Sequence, residues 1–229
     1  MSKSQPGFTL IEIAIVLAIL ALLVGGLLVP LSAQIDQQKI VDTQKTIDLG
    51  KEALIGYAVS NGYLPCPAVS ATNGNEDRTS GVCNKRVGFL PWAALGTPQL
   101  DSWGHLFRYS VSPAFSSSPI SMSSATDITI QTRDASGNLV NLSNSGGIPA
   151  VVISHGKDGF GATNAQGTAQ MAPPSSNVDE ITNATGVTTF VARTQVTDSN
   201  SNGGAYDDMA DWLSPYLLVN RMVQAGRLP

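Results

Sequence analysis

Charge is scarce in this sequence, and basic charge is scarcer still: Asp, Glu, Lys and Arg make up 13% of the 229 residues and the net charge is −4. That balance argues against a nucleic-acid binder built on a broad basic face, since such binding rests on Lys and Arg contacts to phosphate. Histidine occurs only at His105 and His155, which leaves few places for a His-based triad or a zinc centre. Ser154 beside His155 does not make a nucleophile and base, because neighbours on a strand point to opposite faces. Gly-x-Ser-x-Gly, a phosphate-binding loop and Cys-x-x-Cys are all missing. The glycines of Asp158-Gly-Phe-Gly161 stop short of a dinucleotide fingerprint, with Asn164 where the third Gly belongs. No internal repeat is present, and no enzymatic activity is expected.

Long apolar runs are confined to one place. From Ile13 to Ile35 no side chain is charged, which exceeds the roughly 20 residues needed to cross a bilayer. A short polar leader, Met1-Ser-Lys-Ser-Gln-Pro-Gly7, precedes this run. An ordinary secretory signal is cut after its apolar region at an A-x-A-like site, and Leu31-Ser-Ala33 has a bulky residue where a small one belongs. Glu12 is the odd residue, because a carboxylate at the edge of a lipid-compatible segment marks a partner or a function. Cleavage after Gly7 would supply one, the new amino group of Phe8. The bland reading is a Glu12 solvated at headgroup level.

Beyond the run, Ala33, Ile40, Ile47 and Leu54 recur every seven residues, with Asp36, Lys39, Asp42, Lys45, Asp48 and Lys51 between them. This predicts an amphipathic continuation of one helix. From Phe8 to about Ala58 it would approach ~75 Å at 1.5 Å per residue. Gly25, Gly26 and Pro30 are weak points in it. From about Ser60, turn-forming residues are frequent and apolar segments short, which predicts strands and loops. Ile128–Thr132, Ala150–Ile153 and Thr188–Arg193 are the strand candidates, and Met209–Ala225 reads as short helices divided by Pro215. Cys66 and Cys83 fall on the exported side if the N-terminus stays cytoplasmic, where oxidation favours a disulfide worth about 3 kcal/mol on the loop-entropy model.

The stretch Gly7-Phe-Thr-Leu-Ile-Glu12, joining a short leader to an apolar helix, resembles the type IV prepilin signature. The resemblance implies removal of residues 1–7 by a prepilin peptidase, N-methylation of Phe8, and use of Glu12 in docking to other pilin or pseudopilin subunits at an inner-membrane assembly platform. It implies a type IV pilin-like α+β fold: a filament-core helix over 8–31, its amphipathic continuation over 32–58, and a head over 59–229 packed as an antiparallel sheet on that helix. Filaments of the family suggest extended or kinked backbone between Gly25 and Pro30 in the assembled state. The expected localisation is the bacterial inner membrane with the head in the periplasm, then a periplasmic or cell-surface filament. An adhesive or ligand-binding head on the same anchor is the alternative.

Two further segments look like elements of type II secretion pseudopilins. Asp101-Ser-Trp-Gly-His-Leu-Phe-Arg-Tyr109 resembles their Trp-Gly element. Ser154-His-Gly-Lys-Asp-Gly159 with Tyr206-Asp-Asp-Met-Ala-Asp-Trp212 resembles their calcium-binding loop. Carried over, Asp158, Asp207 and Asp208 become calcium ligands, in keeping with a hard cation that takes carboxylate and carbonyl oxygens. An insertion from about 162 to 204 separates the two halves of that loop. It contains Asp198-Ser-Asn-Ser-Asn-Gly203, the opening of an EF-hand-like loop without its closing Glu, since Met209 holds the twelfth position. Asp198, Asn200 and Asn202 read first as a polar turn and otherwise as extra ligands or a second site.

Overall fold

The structure, a computed structural model, describes residues 7–143 and 147–228; the side chains at 24–30 also fall outside the described set. Two units are present, Met1–Val41 and Asp42–Pro229. Helix α1, Leu10–Asn61, runs through both.

In the first unit, Phe8, Leu10, Ile11, Ile13, Ile15, Val16, Leu17, Ile19, Leu20, Leu22 and Leu23 are all exposed. A helix apolar on every side belongs in lipid or among other apolar helices. Among the described residues no helix is long and apolar enough to cross a membrane. The charge-free run passes through 24–30, so the expected break between Gly25 and Pro30 also lies outside the described residues.

In the second unit α1 buries Thr43, Ile47, Gly50, Leu54 and Ala58. Their spacing of three or four residues puts them on one stripe, which packs with Phe107, Tyr109, Val152, Leu213, Leu218 and Met222. Gly50 lets Leu90 pack close to the helix, since a Cβ there would stand 3.3 Å from Leu90 Cδ2. Strands β1 (Arg78–Thr79) and β2 (Val82–Cys83) form a small ribbon, and the Cys66–Cys83 disulfide closes the segment around it.

The main sheet is antiparallel. It orders β3 (Val87–Phe89), β4 (Arg108–Val111), β7 (Ala150–Ser154) and β9 (Met209–Trp212), with the short helices α2 (Trp92–Leu95) and α3 (Pro113–Ser116) in the connections. Every residue of β7 is buried. Ala150 and Val152 face the α1 core, whereas Val151 and Ile153 face a second core with Ile128, Ile130, Ile148 and Phe190. Period-two alternation with both faces covered explains why this strand reads as a continuous apolar run. The second sheet orders β6 (Leu139–Asn141), β5 (Thr129–Arg133) and β8 (Thr189–Val191). Here β5 and β8 are parallel, which requires a crossover, and helix α4 (Val178–Thr185), in the insertion, is part of it.

Met209–Trp212 is a strand, not the helix its apolar spacing predicts. It is the last strand of the main sheet, paired with Val151–Ser154, so tertiary pairing outweighs local periodicity. Helix α5 (Pro215–Gln224) begins at Pro215, which sits at its first turn where the missing N–H is harmless.

Candidate functional site

Two groups of residues carry the functional reading, one at the start of α1 and one in the head. At the N-terminus Thr9 caps α1. Thr9 N–H and Thr9 Oγ1 both donate to Glu12 Oε2 at 2.8 Å, and Glu12 N–H donates to Thr9 Oγ1 at 3.3 Å. This is a capping box. Glu12 therefore has a local task at the start of the helix, in addition to any partner elsewhere. The signal was in the sequence as Thr-x-x-Glu immediately before an apolar run.

The second group is acidic. Asp158, Glu180 and Asp207 place carboxylate oxygens within 4.8 Å of one another. Asp158 sits in the loop after β7, Asp207 precedes β9, and Glu180 lies in the first turn of α4. Gly156 makes the close approach possible: its φ is +60°, and a Cβ there would stand 2.4 Å from the Asp207 carbonyl oxygen. Asp207 Oδ2 accepts from Asp158 N–H at 2.8 Å, and Asp158 Oδ1 accepts from Phe160 N–H at 2.9 Å. Glu180 accepts from Asn177 Nδ2 at 2.7 Å and from Asp207 N–H at 3.2 Å. Asp207 Oδ1 is buried with no partner.

Burial is the main reason the Asp207 carboxyl is pushed up to about 7, with the charges of Asp158, Asp208 and Glu180 adding to it. Burial likewise lifts Glu180 to about 7, helped by Asp158 and Asp208. Asp158 is also raised, by burial first and then by Asp208. Crowded, partly desolvated carboxylates with an orphaned oxygen suit a hard divalent cation, which would offset the repulsion and pair that oxygen.

The remaining sequence candidates stand apart from this trio. Asp208 is buried and hydrogen-bonds to His155 Nδ1 at 3.2 Å and to Asn183 Nδ2 at 2.8 Å. Asp198 Oδ1 accepts from Asn200 N–H at 2.9 Å, an Asx turn, and Asn202 packs against Gly137. Cys66 and Cys83 are disulfide-bonded. Ser154 donates to Asp101 Oδ2 at 2.6 Å, so neither histidine has it as a nucleophile. Glu180 was not legible as a neighbour of Asp158 and Asp207, because only the folding of the insertion brings α4 to that loop.

Residues 2–28 match the family model of the prokaryotic N-terminal methylation motif. The chain thus carries the prepilin signature of type IV pilins and pseudopilins, and its mixed α+β fold, a long N-terminal helix with antiparallel sheet, is consistent with a type IV pilin-like fold. That signature is the mark of a structural, pilin-type substrate of prepilin peptidase, anchored in a membrane before it joins a filament with other pilins. No curated protein and no solved structure matches the chain.

Proposed function

We propose that this protein is a pseudopilin or minor pilin, a non-enzymatic structural subunit of a type IV pilus or type II secretion filament. Prepilin peptidase removes residues 1–7, Phe8 is methylated, and the subunit passes from the inner membrane, head in the periplasm, into the filament through its N-terminal helix. The observation that carries this reading is the methylation motif over residues 2–28, which sets Gly7, Phe8 and Glu12 at the capped start of an all-round apolar helix. Both bonds that the Glu12 carboxylate accepts use Oε2. Oε1 is then the oxygen that receives the Phe8 amino group of an adjoining subunit, a pairing that fixes register more than it adds stability.

Intact-mass analysis of chain purified from membranes should show loss of residues 1–7 and gain of one methyl group; an unprocessed N-terminus would defeat the proposal. Glu12→Ala removes charge and cap together, whereas Glu12→Gln keeps a capping box and removes only the charge. Filament incorporation should fail in both variants. Incorporation of Glu12→Gln at the native level would reduce Glu12 to a helix cap.

The head also binds calcium in this proposal, with Asp158 and Asp207 as ligands and with Glu180 as the third carboxylate. Asp208 is held away from these ligands by its bonds to His155 and Asn183. Calcium in such a loop joins the strand β7 side, α4 and the β9 entry, and so stabilises the folded head.

A further inference from the structure

The adhesive alternative would place recognition on the insertion, yet the insertion is tied down. Asp179, in α4, is fully buried between Arg133 and Arg193. Open space for a ligand lies elsewhere on the head. Two adjoining cavities of about 530 and 430 Å³ flank the start of α5 and share Ser124, Pro215 and Tyr216 in their walls. Each falls in the range of about 300–1,000 Å³ typical of small-molecule sites.

The lining defines the ligand chemistry. Among the described residues neither cavity has a charged side chain in its wall, so no ion pair favours a charged ligand over a neutral one. Two rings border the larger one, Trp212 and Tyr216, and Tyr216 is 73% exposed. Ser124, Thr126, Ser143 and Ser214 add hydroxyls to the same wall. Ser214 precedes α5 without a side-chain bond to cap it, which leaves its hydroxyl to a ligand. Aromatic faces that stack on an apolar ring face, next to hydroxyls that both donate and accept, match a pyranose.

We propose that this paired cavity between the 121–126 segment and α5 binds an uncharged saccharide, stacked on Tyr216 and Trp212 and hydrogen-bonded to Ser214. The site makes no use of the acidic trio or of Glu12, so it stands or falls separately from the assembly reading.

The test applies the full chain, in a sugar-free zwitterionic detergent, to an array of neutral hexose and N-acetylhexosamine oligosaccharides printed beside sialylated and sulfated ones. Retention of neutral oligosaccharides is expected. Titration of the best-retained one should show binding at least about tenfold weaker in Tyr216→Ala and about fivefold weaker in Ser214→Ala, which removes a hydroxyl that makes no cap bond. Retention of acidic oligosaccharides alone, no retention at all, or unchanged affinity in both variants would overturn the proposal. So would a Tyr216→Ala effect confined to self-association, which would make this face a contact between copies of the chain.

Discussion

Glu76 accepts three kinds of donor at once: Tyr57 Oη at 2.8 Å, Cys66 N–H at 3.0 Å and the Arg78 guanidinium at 3.1 Å. One carboxylate thus links α1, the disulfide and the β1–β2 ribbon. Burial works against its ionisation, but the bonds from Arg78, Cys66 and Tyr57 outweigh that, and its pKa lies below 4.5. A depressed carboxylate stabilises the fold above its unfolded pKa of about 4.3 and loses that contribution as pH falls through the folded value. Glu76→Gln should therefore lower stability by about 2 kcal/mol near neutral pH, the usual size for bonds to a charged group. The deficit should shrink below pH 4. Urea unfolding of both proteins at pH 7 and pH 3 measures this, and a deficit equal at both pH values would remove the charge from the explanation.

The insertion behaves as an element with its own anchor. Arg133 Nε and Nη2 donate to Asp179 at 2.8 and 2.7 Å, and Arg193 Nε lies 2.7 Å from the same carboxylate. Gly203 closes over this clamp with φ of +87°, and a Cβ there would stand 2.1 Å from Asp179 Oδ2. Removing one partner of a buried charge pair leaves the others unpaired and costs about 3 kcal/mol or more. Asp179→Asn should lower the thermal midpoint by roughly 6–12 °C in a chain of this size. Amide exchange should quicken first across 178–204. Uniform quickening over the whole head would show that the insertion has no independent anchor.

How much of this could be read from the sequence depends on the range of the interactions involved. The start of α1, the stripe Ile47–Leu54, the strand Ala150–Ile153 and the turn at Asp198 follow from local pattern, and each was legible. Met209–Trp212 was not, because its strand state comes from pairing with β7, 55 residues earlier by the register Ser154↔Met209. Glu180 and the Arg133–Asp179–Arg193 clamp were hidden for the same reason. They meet only after the insertion has folded back.

At the scale of the whole molecule, the acidic trio joins three separate segments: the loop after β7, the first turn of α4 and the approach to β9. A ligand that binds only the folded chain stabilises it by RT ln(1 + [L]/Kd), or about 2.7 kcal/mol at a hundredfold excess over Kd. For a chain of this length that is roughly 5–11 °C in thermal midpoint. The full chain in detergent should show such a rise with calcium and lose it with chelator. Asp207→Ala and Glu180→Gln should each abolish the rise, whereas Asp198→Asn should leave it intact, since Asp198 is engaged in its own turn. A rise that survives Glu180→Gln but not Asp207→Ala would keep calcium and exclude the insertion from its site. No rise in the unaltered chain would leave Asp158, Glu180 and Asp207 as carboxylates that share protons without a metal.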